Sequence, residues 1–159
     1  MNKSQLLKKI VAALGESLET LERAARASHT EATHESSRAE SKYDTRGLEA
    51  AYLAGGQARQ AREILDSIKH YQLLETRDFA ATDLIDLTAV VKLEMNGATD
   101  FYFIGPKSGG VEVNYEGEEI TVITPQSPLG QNLVGKKAGQ SWTAKVGGST
   151  AKYRIVNVW

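Results

Sequence analysis

Leu7, Val11, Leu14, Leu18, Leu21, Ala25, Ser28, Ala32 and Glu35 follow one another at steps of four and three. That spacing is the a/d seam that one helix buries against another. Its members shrink from Leu to Ala and Ser and end in Glu, which predicts a solvated far end. A second run, Leu48, Ala51, Gly55, Ala58, Arg62, Leu65, Ile68 and Gln72, has similar spacing with the small residues first. Folding the chain back about residues 38–41 sets Leu14 near Leu65, Leu21 near Ala58, Ala25 near Gly55 and Ser28 near Ala51. Large then meets large at the base and small meets small towards the tip. The pattern predicts an antiparallel helical hairpin over residues 1–76. Arms of about 30 residues at 1.5 Å per residue make it roughly 45 Å long.

Beyond residue 76 the period changes. Short alternating runs predict strands at Thr88–Met95, Thr99–Ile104, Gly110–Tyr115, Glu119–Thr124, Ser141–Val146 and Lys152–Val158. Asn96-Gly97, Pro106–Gly110, Glu116-Gly117 and Gly147-Gly148 read as the turns between them. Ser127 followed by Pro128 is a helix start, with the hydroxyl as N-cap and proline at the first helical position. Gly135 fits the residue just past the end of that short helix. Residues 77–86 read as a connector and residues 87–159 as a β-rich globular domain. The fold class is therefore α+β, a long N-terminal hairpin followed by a small sheet domain with one short helix.

Composition agrees with this division. Before residue 76 there is no proline, whereas Pro106, Pro125, Pro128 and both tryptophans follow it. The 19 Lys+Arg against 20 Asp+Glu give a net charge of −1, so no global charge points to nucleic acid. The absence of cysteine excludes disulfides, thiol catalysis and thiolate metal sites. The apolar run Ile10–Leu14 is too short for a signal-peptide core or a membrane span, so the expectation is a soluble, cytoplasmic protein.

The hairpin tip, residues 35–44, is polar and offers Glu35, Glu40 and Asp44 on a narrow protrusion. By spacing alone these are solvated side chains, and Asp44 also suits a helix start. His29 and His34 are five apart, which is poor spacing for two ligands on one helical face. Ser127 has no nearby histidine, and its capping role explains it better than nucleophilic catalysis. Lys136 and Lys137 read either as a solvated turn or as a partner-docking pair. Arg23, Arg26, Arg59 and Arg62 read as a basic patch or as ordinary ion pairs with Glu19, Glu22 and Glu63.

The stretch Ile123-Thr124-Pro125-Gln126-Ser127-Pro128-Leu129-Gly130-Gln131-Asn132-Leu133-Val134-Gly135-Lys136-Lys137-Ala138-Gly139 resembles the C-terminal motif of the bacterial Gre-type transcription elongation factors. Tyr153–Val158 resembles their closing strand, and the plan of hairpin plus FKBP-like α+β domain is similar over nearly the whole chain. The resemblance implies an accessory factor rather than an enzyme. Its C-terminal domain, with Ser127, Pro128, Leu129, Lys136 and Lys137 as candidate contacts, docks on RNA polymerase. Its hairpin enters the secondary channel and brings the tip to the polymerase's catalytic Mg²⁺ and the nascent RNA 3′ end. No tightly bound cofactor is implied, only Mg²⁺ shared with the polymerase, and neither membrane nor sequence-specific DNA is a partner. Glu40 falls on the family's catalytic Glu, whereas Ser37 replaces its partner Asp and Ser41 replaces the usual Asn. Aligning on Tyr43 instead would put Ala39 on the Glu, with Glu35 or Asp44 left to supply an acid.

The implied function is modulation or stimulation of the cleavage of backtracked RNA. A channel-occupying regulator that does not stimulate cleavage fits the same residues, as does a coiled-coil interaction protein outside transcription. A peptidyl-prolyl isomerase, the other activity an FKBP-like domain suggests, lacks its aromatic pocket. Phe101, Tyr102 and Phe103 lie in one alternating strand and cannot all face one side.

Overall fold

A computed structural model of the chain describes residues 1–33, 46–146 and 149–159. Two long helices come first, α1 (Lys3–Thr33) and α2 (Arg46–Gln72). Then follow strands β1 (Val90–Met95), β2 (Ala98–Ile104), β3 (Glu112–Tyr115) and β4 (Glu118–Ile123), a short helix α3 (Pro128–Leu133), and strands β5 (Ser141–Val146) and β6 (Ser149–Val158). The chain divides into two compact units, one of Met1–Ala13 with His70–Trp159, the other Leu14–Lys69.

In the second unit the helices run antiparallel, since the start of α1 and the end of α2 both belong to the first. The seam of α1 is as its spacing predicts. Leu14 is buried, Leu18, Leu21 and Ala25 are half-buried, and Glu16, Ser17, Glu19, Thr20, Glu22 and Arg23 between them are exposed. The seam of α2 follows expectation in part. Ala58 and Ile68 are half-buried as expected, but Ala54, Ala61 and Ile64 turn inward in place of the expected Gly55, Arg62 and Leu65, and those three are exposed. A helix rich in Ala and Gly has few large side chains to mark its inner face, so two neighbouring registers look alike in sequence. Leu65 instead helps line a shallow groove with Leu18, Ala25, Ala58 and Ala61. Glu22 and Arg26 pair at 3.3 Å on the helix surface, one turn apart.

The first unit is built on a six-stranded sheet in the order β3-β4-β2-β1-β6-β5. All neighbours are antiparallel except β2 and β4, which are parallel and leave β3 on the outer edge. Asn96-Gly97 and Glu116-Gly117 have positive φ at both positions, the geometry that a two-residue hairpin needs to match strand twist. Strand β1 begins at Val90, later than expected, because Thr88 adopts φ 70°. That left-handed conformation is costly for a β-branched residue. It is held here by the Thr88 N–H donating to the Ile104 carbonyl at 2.8 Å.

One face of the sheet carries Val91, Leu93, Ile104, Ile123, Ile155 and Val158, packed with Leu133 of α3 and with Phe79 and Ile85 from the segment before β1. Val90, Phe103, Ile120 and Val122, on the other face, are equally buried. Leu6 and Ile10 are fully buried too, although neither belongs to the heptad seam. Segment 80–83 makes a single turn, closed by the Asp83 N–H donating to the Ala80 carbonyl at 3.0 Å.

Candidate functional site

The acidic tip residues Glu35, Glu40 and Asp44, and Ser37 with them, lie outside the described residues. The structure does describe the motif after β4. Ser127 takes φ −65° and ψ 154° and caps α3, its hydroxyl accepting from the Gly130 N–H at 3.1 Å and donating to the Thr124 carbonyl at 2.8 Å. Pro128 stands at the first turn, where a missing N–H costs nothing. Gly130 is required by space: a Cβ there would sit 1.9 Å from the Thr124 carbonyl oxygen. Asn132 Nδ2 donates to the Pro128 carbonyl at 2.8 Å, and Gln131 Nε2 donates to the Gln126 carbonyl at 3.0 Å. The stretch is thus a self-bonded cap that drives Leu133 into the core and leaves Pro128 on the surface.

The loop that follows is tied to the segment before β1. Gly135 N–H donates to the Ile85 carbonyl at 2.9 Å, and Ile85 N–H donates to the Lys136 carbonyl at 2.8 Å. Lys136 then extends its ammonium over the Trp142 ring, 5.4 Å from the centroid. Trp142 stacks on Tyr153, its cross-strand partner, at 4.9 Å and 7° between planes. Lys137 stays exposed, its N–H held by the Gln140 side-chain carbonyl at 2.8 Å. Of the expected contacts, Pro128 and Lys137 are exposed, Leu129 and Lys136 are half-buried, and the Ser127 hydroxyl is used within the fold.

The chain from residue 80 to residue 159 matches the profile of the C-terminal domain of the transcription elongation factors GreA and GreB. The chain belongs to the GreA/GreB family. The family match begins one residue after Phe79 and takes in the whole sheet and α3. Among solved structures, GreA factor homolog 1 (Gfh1) of Thermus thermophilus is 22% identical, with 94% of each chain covered and a TM-score of 0.37. Gfh1 of Thermus aquaticus is 21% identical over 95% of this chain and 92% of that one, with a TM-score of 0.38. A GreA/GreB factor from Nitrosomonas europaea is 22% identical over 60% of this chain and 78% of its own, with a TM-score of 0.37. A search of curated proteins finds no match.

Sequence reasoning missed a second cluster in this Gre-family chain. Lys3, at the start of α1, is buried, and its ammonium donates to the Arg77 carbonyl. The same ammonium lies 4.5 Å from the Phe79 ring centroid, and the Arg77 guanidinium lies 3.8 Å from it. Burial holds the Lys3 ammonium well below its ordinary range, at about 8, with Asp78 opposing and Arg77 adding to that effect. Nearby, the Tyr71 hydroxyl donates to the Lys107 carbonyl at 2.7 Å, and burial raises its pKa. The Asn2 N–H donates to the Tyr115 hydroxyl at 3.1 Å. A lysine at the head of an amphipathic helix gives no sequence signal of burial, because lysine is the residue least expected inside. Among the described residues, no helix is long and apolar enough to cross a membrane.

Proposed function

We propose that this Gre-family protein is a cytoplasmic accessory factor of RNA polymerase. It binds the polymerase through its C-terminal domain and inserts the α1–α2 hairpin into the secondary channel, where it modulates the cleavage of backtracked RNA. The observation that carries this reading is the family match across residues 80–159 on a chain whose first half is an antiparallel helical pair. A thin rod is the shape that delivers a side chain through a pore too narrow for a globular domain. Pro128, Leu129 and Lys137, with Ser127 and Lys136 beside them, are the proposed polymerase contacts.

Glu40 is the proposed working carboxylate, with Asp44 and Glu35 as weaker candidates. Carboxylate oxygens are the donors that Mg²⁺ takes, usually one or two from protein with water and phosphate completing the shell. Such an ion, shared with the polymerase, would stabilise charge on the attacking and leaving oxygens of the RNA phosphodiester. Ser37 in the position of the family's Asp removes one acid from that set. It favours a second reading, in which the hairpin occupies the channel and restrains the polymerase without promoting cleavage.

Purified RNA polymerase stalled in a backtracked complex separates the two. Cleavage accelerated by the wild-type protein and abolished by Glu40→Ala assigns the first reading. Binding that leaves cleavage unchanged or slower assigns the second. An absence of binding overturns both.

A further inference from the structure

We infer that the face of β6 and β5 turned away from α3, with the adjoining Lys92 and Glu94 of β1, binds the sugar–phosphate backbone of nucleic acid without regard to sequence. Register places Lys145 opposite Thr150, Thr143 opposite Lys152, and Glu94 opposite Arg154, all on the face turned away from Trp142, Tyr153 and the α3 core. Lys92, opposite Asn157, lies on the same face. Lys145, Lys152 and Arg154 are exposed, as are Thr143 and Thr150 between them. Alternate residues of a strand and diagonal neighbours across a pair lie about 7 Å apart. The four cations therefore form a diagonal line across three strands.

Among the described residues of these three strands, Glu94 is the one carboxylate on this face, and it is committed to Arg154 at 2.6 Å. The chain's near-zero net charge conceals this asymmetry. Glu112, Glu116, Glu118 and Glu119 are exposed at the opposite end of the sheet, on β3, β4 and their turn. One end of the sheet is thus cationic and the other anionic.

The chemistry of the face favours phosphate over an acidic protein. Protein partners seat on aromatic or aliphatic anchors at the centre of an interface. Here the centre is Lys, Arg and Thr, and the nearest aromatic, Phe101, is buried beneath Lys92 and stacked on Trp159. Phosphate oxygens need only cations and hydroxyl donors. Contacts to phosphate and sugar do not read bases, so binding extends to single strands and duplexes alike. This inference is independent of the polymerase reading.

The test is fluorescence anisotropy of the full chain with labelled oligo-dT and with a mixed-sequence duplex of equal length. Three available cations give a salt slope of about −2 for single strands and about −2.7 for duplex, so raising salt from about 50 to about 200 mM weakens binding roughly 20- to 40-fold. Lys145→Gln with Lys152→Gln lowers that slope by about 1.4 for single strands and about 1.8 for duplex, two of the three cations being removed. Lys145→Glu with Lys152→Glu abolishes binding at unchanged circular dichroism, and the double Arg variant retains it. The inference is overturned if neither probe binds at the lower salt, or if the charge-reversed variant binds as well as wild type. It is also overturned if a polyglutamate peptide of equal charge binds more tightly than either oligonucleotide, which would make the face a site for an acidic protein.

Discussion

The Tyr71 hydroxyl, at the end of α2, donates to the Lys107 carbonyl in the loop between β2 and β3 at 2.7 Å. Tyr71 is 1% exposed, so its hydroxyl has no water to fall back on. The same hydroxyl explains Gly105, where a Cβ would lie 2.2 Å from it and 2.9 Å from Val122 Cγ1.

Tyr71→Phe leaves the Lys107 carbonyl without this donor and costs about 1–3 kcal/mol. Gly105→Ala overpacks the same spot and costs about the same. The double variant loses less than the sum, because phenylalanine removes the atom that the new methyl meets first. Urea unfolding of the four proteins reads the coupling, and strict additivity would refute the assigned contact.

The α3 start gives an ordered pair. Ser127→Ala removes one cap and costs about 1 kcal/mol. Gly130→Ala drives a methyl into the Thr124 backbone, which cannot rotate away, and costs more than Ser127→Ala. Thermal unfolding that ranks them the other way would contradict the cap geometry.

Lys3 makes stability depend on alkaline pH. Its ammonium titrates near 8 in the folded chain and near 10.5 when free, so between those values the unfolded chain holds more proton. Stability contributed by Lys3 therefore rises as pH climbs from about 8 to 10.5, and is lost as pH falls through 8. Compared with Lys3→Met, which does not titrate, the wild type gains in relative urea stability over that window. A difference that stays flat from pH 7 to 10.5 would mean that the lysine is solvated.

Glu94 and Arg154 approach to 2.6 Å, yet the Arg154 side chain is 53% exposed. Solvent and salt screen such a pair, so its coupling in a double-mutant cycle is expected below about 1 kcal/mol and smaller in high salt. Short distance alone would suggest more, and a larger coupling would show the pair to be shielded.

The two helices, six strands, Asn-Gly and Glu-Gly turns and Ser-Pro helix start were readable because each depends on neighbours a few residues away. The motif at residues 123–139 was readable for the same reason, since its cap closes within seven residues from Thr124 to Gly130. The three-dimensional fold alone decided which side of each element faces inward when its own residues leave a choice. Ala54, Ala61 and Ile64 face inward on α2 in place of Gly55, Arg62 and Leu65, because a partner helix selects between registers that small residues leave nearly equal. Leu6 and Ile10 are buried though they lie off the seam. Lys3 is buried though charged, and Lys92, Lys145, Lys152 and Arg154 share one face though up to 62 residues apart in sequence. Periodicity is a local property of the chain, whereas burial and charge segregation depend on partners that only folding brings within a few ångströms.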